Sequence, residues 1–96
     1  MNIIIKPSHL QNKKYDAVID GKNTIPFGAK GMSDFTIHKD EERKRLYIGR
    51  HSKRENHNDI YTPGALSLHL LWNKTTLLKS IQDVNKRFGV HVIKQF

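Results

Sequence analysis

An Asp-Gly pair at positions 20 and 21 sits between two short apolar runs, Tyr15 to Ile19 and Thr24 to Phe27. That arrangement leaves the chain few options. A tight β-hairpin needs positive φ at its tip, and glycine supplies it without steric cost. By the two-residue strand period, Tyr15, Ala17 and Ile19 share one face of the first strand. The pattern predicts a hairpin turning at Asp20, Gly21, Lys22 and Asn23. Pro26 has no N–H to give a ladder, so the second strand belongs at a sheet edge or ends early.

The remaining elements follow from local signals. Asn2 to Lys6 is a β-branched run stopped by Pro7 and reads as a strand, and Ser8 to Lys14 reads as a polar loop. After the hairpin, Gly28-Ala29-Lys30-Gly31 breaks the pattern. A helix is predicted to begin between Ser33 and Lys39 and to run to about Ser52. Asp40, Glu41 and Glu42 suit its N-terminal dipole, and Arg50, Lys53 and Arg54 suit its C-terminal one. Ile37, Tyr47, Ile48 and His51 fall on one face of such a helix.

Glu55 to Tyr61 is polar and reads as a loop. Thr62-Pro63 has the form of an N-cap followed by proline at the first helical position. Ala65, Leu66, Leu68, Leu70, Leu71 and Trp72 then point all round a helix, which predicts burial on most sides. Asn73 to Thr76 makes a break and a new cap. Leu77, Leu78, Ile81, Val84 and Phe88 form a 3.6-residue stripe, with Lys79 and Lys86 on the solvent side. Gly89 is a natural stop, Val90 packs back, and Val90 to Ile93 is a last strand.

These elements predict an α+β fold. An N-terminal β-hairpin, three helices and a C-terminal strand form a small antiparallel sheet covered on one face by helices. Chain economy pairs the first strand with the last. The 96 residues make one domain, with 1–14 as a short strand and polar lead-in and 15–93 as the compact core.

Composition narrows the function. The chain has no cysteine, which excludes disulfides, thiolate zinc sites and a cysteine nucleophile. No segment approaches the ~20 apolar residues of a membrane helix, and the N-terminus does not read as a signal peptide. Lys and Arg number 17 against 9 acids, a formal net charge of +8. Such an excess favours a polyanionic partner: nucleic acid, an anionic membrane surface or an acidic protein.

The charge concentrates in one place. Between Arg43 and Arg54 there are six bases (Arg43, Lys44, Arg45, Arg50, Lys53 and Arg54) and no acid. At 100° per residue, Arg43, Arg50 and Arg54 fall within about 40° of one another. Guanidiniums on one ridge suit phosphate oxygens, which they bind through bidentate, charge-assisted hydrogen bonds. The expected nucleic-acid-binding residues are Arg43, Lys44, Arg50, Lys53 and Arg54. No catalytic residue, metal ligand or cofactor is expected.

Other constellations carry less. The glycine loop from Phe27 to Ser33 lacks the spacing of a Walker loop and reads as a turn needing positive φ. His51, His57 and Asp59 lie near one another in sequence but lack the hairpin scaffold of a His-Asn-His nuclease. His69 lies among apolar residues and reads as a hydrogen-bonded core or boundary histidine. Leu46-Tyr-Ile-Gly-Arg50 resembles half of a GIY-YIG nuclease signature whose other half is absent. The aromatics are dispersed, without the paired strand pattern of an RNA-recognition sheet. Trp72 reads as a core residue with its N–H at the rim.

Three blocks are distinctive: Tyr15-Asp-Ala-Val-Ile-Asp-Gly-Lys, Phe27-Gly-Ala-Lys-Gly-Met-Ser-Asp-Phe-Thr-Ile-His-Lys-Asp and Leu71-Trp-Asn-Lys-Thr-Thr-Leu. Over about Tyr15 to Phe88 the chain resembles a family of small basic proteins, without known activity, from nucleocytoplasmic large DNA viruses. It departs from that family around Ile60 to Leu70, where the relatives are more aromatic. The resemblance implies a virion or an infected cell, in cytoplasm or nucleus, as the setting, and brings no catalytic residue.

Three functions are therefore in view. The first is a non-enzymatic protein that binds nucleic acid, DNA ahead of RNA, through backbone phosphates. The second is a minor structural or cement protein of the virion, meeting acidic capsid or membrane surfaces. The third, placed last for want of carboxylates near its histidines, is a small metal-dependent nuclease using His51, His57 and Asp59.

Overall fold

The hairpin forms where Asp20-Gly21 demands it. In the computed structural model, which describes residues 2–51 and 59–96, Asp20 and Gly21 take φ of 51° and 70°. Lys22 N–H donates to the Ile19 carbonyl at 2.9 Å, closing the turn. Paired positive φ values are the mark of the hairpin turns that match strand twist, and Asp is among the few non-glycine residues that tolerate them. The Asp20 carboxylate also accepts from Asn2 N–H at 2.8 Å, and Asp20 N–H donates to the Asn2 carbonyl at 2.8 Å. The tip is thereby tied to the start of the first strand.

Strands β1 (Asn2–Pro7), β2 (Lys13–Ile19) and β3 (Asn23–Ala29) run antiparallel in succession, and β4 (His91–Lys94) completes the sheet in the order β3-β2-β1-β4. The first and last strands pair as expected, but in parallel, with Ile3 opposite Val92. The sheet is therefore mixed rather than antiparallel. A parallel neighbour needs a long crossover, and the helices between the hairpin and β4 provide it. β1, the short strand expected near the start of the chain, is interior to the sheet, with Ile3 and Ile5 fully buried. β2 starts at Lys13, inside the stretch expected to be loop. β3, with its Pro26, is an edge strand.

The first helix is interrupted. Instead of one segment to Ser52, the chain forms α1 (Phe35–His38) and α2 (Glu41–His51). Lys39 takes φ 56° and caps α1 in the left-handed conformation. Asp40 then restarts the chain: its carboxylate accepts from the backbone N–H of Glu42 at 3.0 Å and of Arg43 at 3.3 Å. Ile37, on the short α1, is left exposed and shares no face with Tyr47.

Thr62 caps α3 (Pro63–Leu66), its hydroxyl accepting from Ala65 N–H at 3.2 Å. The helix continues directly as a π-helical turn, Ser67–Leu71; with the first helix divided in two, the described residues hold four α-helices, two of them single turns, rather than three helices. Thr76 caps α4 (Leu77–Phe88), and Gly89 ends it at φ 64°. Past Gly89, the Asn85 side chain accepts from Val92 N–H at 2.7 Å and so holds β4 against α4.

Ile3, Ile5, Ala17, Ile19, Phe27 and Val92 lie on one sheet face and form a single core with Ile60, Leu66, Leu70, Leu71, Ile81 and Val84. Leu78 stands outside it, 58% exposed, although the stripe included it. The opposite face carries one buried charge. Asp16 is 1% exposed and accepts from Ser8 Oγ at 2.6 Å and His9 N–H at 3.1 Å, with His9 Nδ1 at 2.5 Å. Burial alone would push the Asp16 carboxyl up, but the hydrogen bonds from His9 and Ser8 outweigh it and hold it below its ordinary value. No described helix is long and apolar enough to cross a membrane.

Candidate functional site

α2 has few apolar residues to hold it, so its inner face is docked by other means. Lys44 Nζ donates to the Asn73 carbonyl at 2.7 Å and lies 4.8 Å from the centre of the Phe35 ring. Three residues on, Tyr47 stacks on Trp72 with ring centres 4.2 Å apart and planes 4° from parallel. His38 packs on the same Trp72, 5.2 Å between rings. The stack contributes about 0.5–1.5 kcal/mol beyond its buried area, and the cation over Phe35 about 0.5–1 kcal/mol. Lys39 adds bonds to the carbonyls of Thr36 at 2.8 Å and Thr75 at 2.9 Å. The aromatics thus gather where α1, α2 and the π turn meet.

Docking one face fixes what the next face shows. Arg43, Leu46 and Arg50 follow at steps of three and four, so they form one stripe beside Tyr47. All three are exposed, Leu46 by 50%. The stripe borders an open cleft of about 1220 Å³, whose other walls come from the loop after β3 and from Leu71 and Trp72.

The loop wall depends on Gly28. Its φ is +77°, and a Cβ there would lie 2.8 Å from Leu71 Cδ1 and 3.3 Å from Lys14 Cβ. Glycine at this position lets the end of β3 rest on the π turn. Beyond it, Asp34 is buried and caps α1 by accepting from Thr36 N–H at 2.9 Å. Its carboxylate pairs with the Lys14 ammonium and also accepts from Thr36 Oγ1 at 2.5 Å. Asp34, the one carboxylate of the cleft wall among the described residues, is thus neutralised. Burial raises the nearby Tyr15 hydroxyl above its ordinary pKa, and the Asp34 charge adds to the shift.

Several other described acids are similarly committed. Glu42 pairs with Arg45 at 2.5 Å, and that hydrogen bond holds the Glu42 carboxyl low and the Arg45 guanidinium high. Asp83 accepts from Asn73 Nδ2 at 2.6 Å and pairs with Arg87 at 2.7 Å. The bond from Asn73 lowers its carboxyl against the opposing effect of burial, with Arg87 adding to the lowering. Asp59 accepts from Tyr61 N–H at 3.0 Å. Lys6, Lys22, Lys30, Arg43, Arg50, Lys74, Lys79 and Lys86 are meanwhile exposed. Among the described residues, neither Arg43 nor Arg50 has an ion-pair partner. The surplus cation is therefore outward-facing.

A family model matches residues 3–51, from β1 to the end of α2, and so takes in both the stripe and the glycine loop. The chain belongs to DUF5754, a family of unknown function. The DUF5754 span holds two of the three distinctive sequence blocks, and the third, at Leu71, lies beyond it. No curated protein and no solved structure matches the chain.

Within the DUF5754 span, Arg43 and Arg50 come together on the cleft. Lys44 does not join them; its ammonium is turned to Asn73 and Phe35, one helical position away from the stripe. Lys53, Arg54, His57 and the His51 side chain lie outside the described residues. Among those described, no group of three or more His, Asp or Glu residues is placed to hold a metal. His69 is buried, as its apolar neighbours suggested, with Nδ1 2.9 Å from Arg87 Nη2 and its ring edge-on to Phe88. Trp72 is only partly buried and packs at the margin of the core. Sequence reasoning missed Leu46 and Met32, the exposed apolar residues of the cleft. The signal for Leu46 was present, since it stands three residues after Arg43 and four before Arg50.

Proposed function

We propose that this chain is a non-enzymatic nucleic-acid-binding module that holds backbone phosphates along the Arg43–Arg50 stripe. The observation that carries this reading is the pairing state of those two side chains. Both are exposed at the rim of a cleft, on one helix face, without an acidic partner among the described residues. Seven residues of helix separate them by about 10.5 Å along the axis, so they address different phosphates of one strand. A guanidinium presents a planar fork that matches phosphate oxygens, and phosphate contacts position a protein without reading bases.

The surrounding charge supports the same partner. With the described carboxylates largely committed to caps and clasps, the net +8 is expressed at the surface and draws a polyanion in. Lys53 and Arg54 extend the basic run in sequence beyond the described residues. An infected cell or virion is the setting that the resemblance to proteins of large DNA viruses supports.

The test is a binding titration across a salt series. Two phosphate contacts give a slope of log affinity against log salt of about −1.8 on duplex DNA or about −1.4 on a single strand, and further cations steepen it. Arg43→Ala with Arg50→Ala removes that part of the slope. Binding that ignores salt, or that survives the double substitution unchanged, refutes the reading.

A further inference from the structure

The stripe on α2 is not purely cationic. Between the two arginines stands Leu46, 50% exposed, and across the cleft on the loop after β3 stands Met32, 65% exposed. Leu71 and Trp72 continue the apolar lining inward. A ridge that only gripped the outside of a duplex would need charge and hydrogen-bond donors, and would leave this lining in water. Apolar surface inside a concave, cation-rimmed site gains stability when something apolar covers it.

Resting on the phosphate-binding reading above, we infer that the cleft takes an unpaired strand, with its phosphates on Arg43 and Arg50 and its bases turned inward against Leu46 and Met32. A single strand has both kinds of surface in the required order, charge along the backbone and flat apolar faces hanging from it. A duplex has its base faces stacked, and must break a pair and flip a base to offer one, at a cost of several-fold to hundreds-fold in affinity. The open cleft, about 1220 Å³, exceeds the roughly 300–1,000 Å³ typical of small-molecule sites, so there is space for more than one base. Proteins that hold single strands combine a positive groove with side chains that cover base faces, commonly aromatic ones, and Leu46 and Met32 offer aliphatic cover in that place.

The inference separates from its premise by the choice of probe. Fluorescence anisotropy is measured with three labelled oligonucleotides of equal length: a single strand, an abasic strand keeping only sugar and phosphate, and a duplex. The expected result is that the single strand binds about tenfold more tightly than the abasic strand and than the duplex. Leu46→Gln, at an exposed helix position that tolerates it, lowers single-strand affinity and narrows its advantage over the abasic strand. Arg43→Ala with Arg50→Ala weakens all three. Equal affinity for base-bearing and abasic strands, or a duplex bound as tightly as the strand, overturns the unpaired-strand inference and leaves phosphate binding standing. No binding by any of the three overturns both, and directs attention to an acidic polypeptide as the occupant of the cleft.

Discussion

Replacing Asp16 by asparagine should cost this fold a large part of its stability at neutral pH and almost none of it in acid. The Asp16 side chain is buried on the sheet face away from the main core, and it holds the turn between β1 and β2 through Ser8 and His9. Each hydrogen bond to a charged acceptor is worth about 1.5–3 kcal/mol. The His9 ring is 61% exposed, so its contribution is screened and small. That leaves the bonds from the Ser8 hydroxyl and the His9 backbone N–H, and asparagine keeps one acceptor oxygen of the two. The expected loss is then about 2 kcal/mol at pH 7. In a domain of this length that lowers the melting temperature by about 8–16 °C.

The sign of the pH dependence follows from the lowered carboxyl. A group whose folded pKa lies below its unfolded value of about 3.9 stabilises the fold above that value, and the contribution fades as pH falls through the folded pKa. Urea denaturation of the wild type and Asp16→Asn at pH 7, 5, 4 and 3 measures it. The gap should hold from pH 7 to 5 and narrow progressively below pH 4, with the denaturant slope unchanged. A gap under about 0.5 kcal/mol at pH 7, or one that stays constant to pH 3, refutes the assignment of the clasp to the charged carboxylate.

Three further outcomes are expected. Gly28→Ala should destabilise by about 2–3 kcal/mol in the same denaturation assay, because it forces a side chain into positive φ and against Leu71; an effect below about 0.5 kcal/mol would remove the close approach of β3 to the π turn from the account. Lys44→Ala should lower stability by about 1–2 kcal/mol through the lost Asn73 bond and Phe35 contact, while changing nucleic-acid affinity far less than Arg43→Ala; anisotropy with both variants distinguishes an internal strut from a phosphate contact. Leu78→Gln should stay within about 0.5 kcal/mol of the wild type and Ile81→Ala should cost about 2–4 kcal/mol, since only the second is in the core.

Local signals carried most of the elements. Asp20-Gly21 and Gly89 act through their own backbone and Thr62 and Thr76 through hydroxyls that cap the next turn, so the hairpin, the start of α3 and both ends of α4 were readable from a few residues apiece. The break at Lys39 was hidden because a lysine rarely takes positive φ. Asp40 read as a dipole-friendly acid inside a helix when it was in fact a new cap. The direction of β4 could not be read, because four residues carry no mark of parallel or antiparallel pairing and the partner is at the far end of the chain.

The candidate site divides the same way. The Arg43 and Arg50 spacing is a property of one helix and was visible in advance. The inward turn of Lys44 was not, because its partners, Asn73 and Phe35, come from elements distant in sequence. The gathering of Phe35, His38, Tyr47 and Trp72, which looked dispersed along the chain, has the same cause. The cleft itself depends on Gly28 meeting Leu71, a contact between residues forty-three apart in number, as their positions show.

The central claim is that Arg43 and Arg50, without an acidic partner among the described residues, present a phosphate-binding stripe. The most direct measurement is a salt-series anisotropy titration of wild type and of the Arg43→Ala, Arg50→Ala double variant, each shown by circular dichroism to be folded, on a single-stranded oligonucleotide. The expected result is binding near the micromolar range at moderate salt, with the log–log slope shallower by about 1.4 in the variant. A wild-type protein that fails to bind at low salt, or a variant whose slope equals that of the wild type, would contradict the claim.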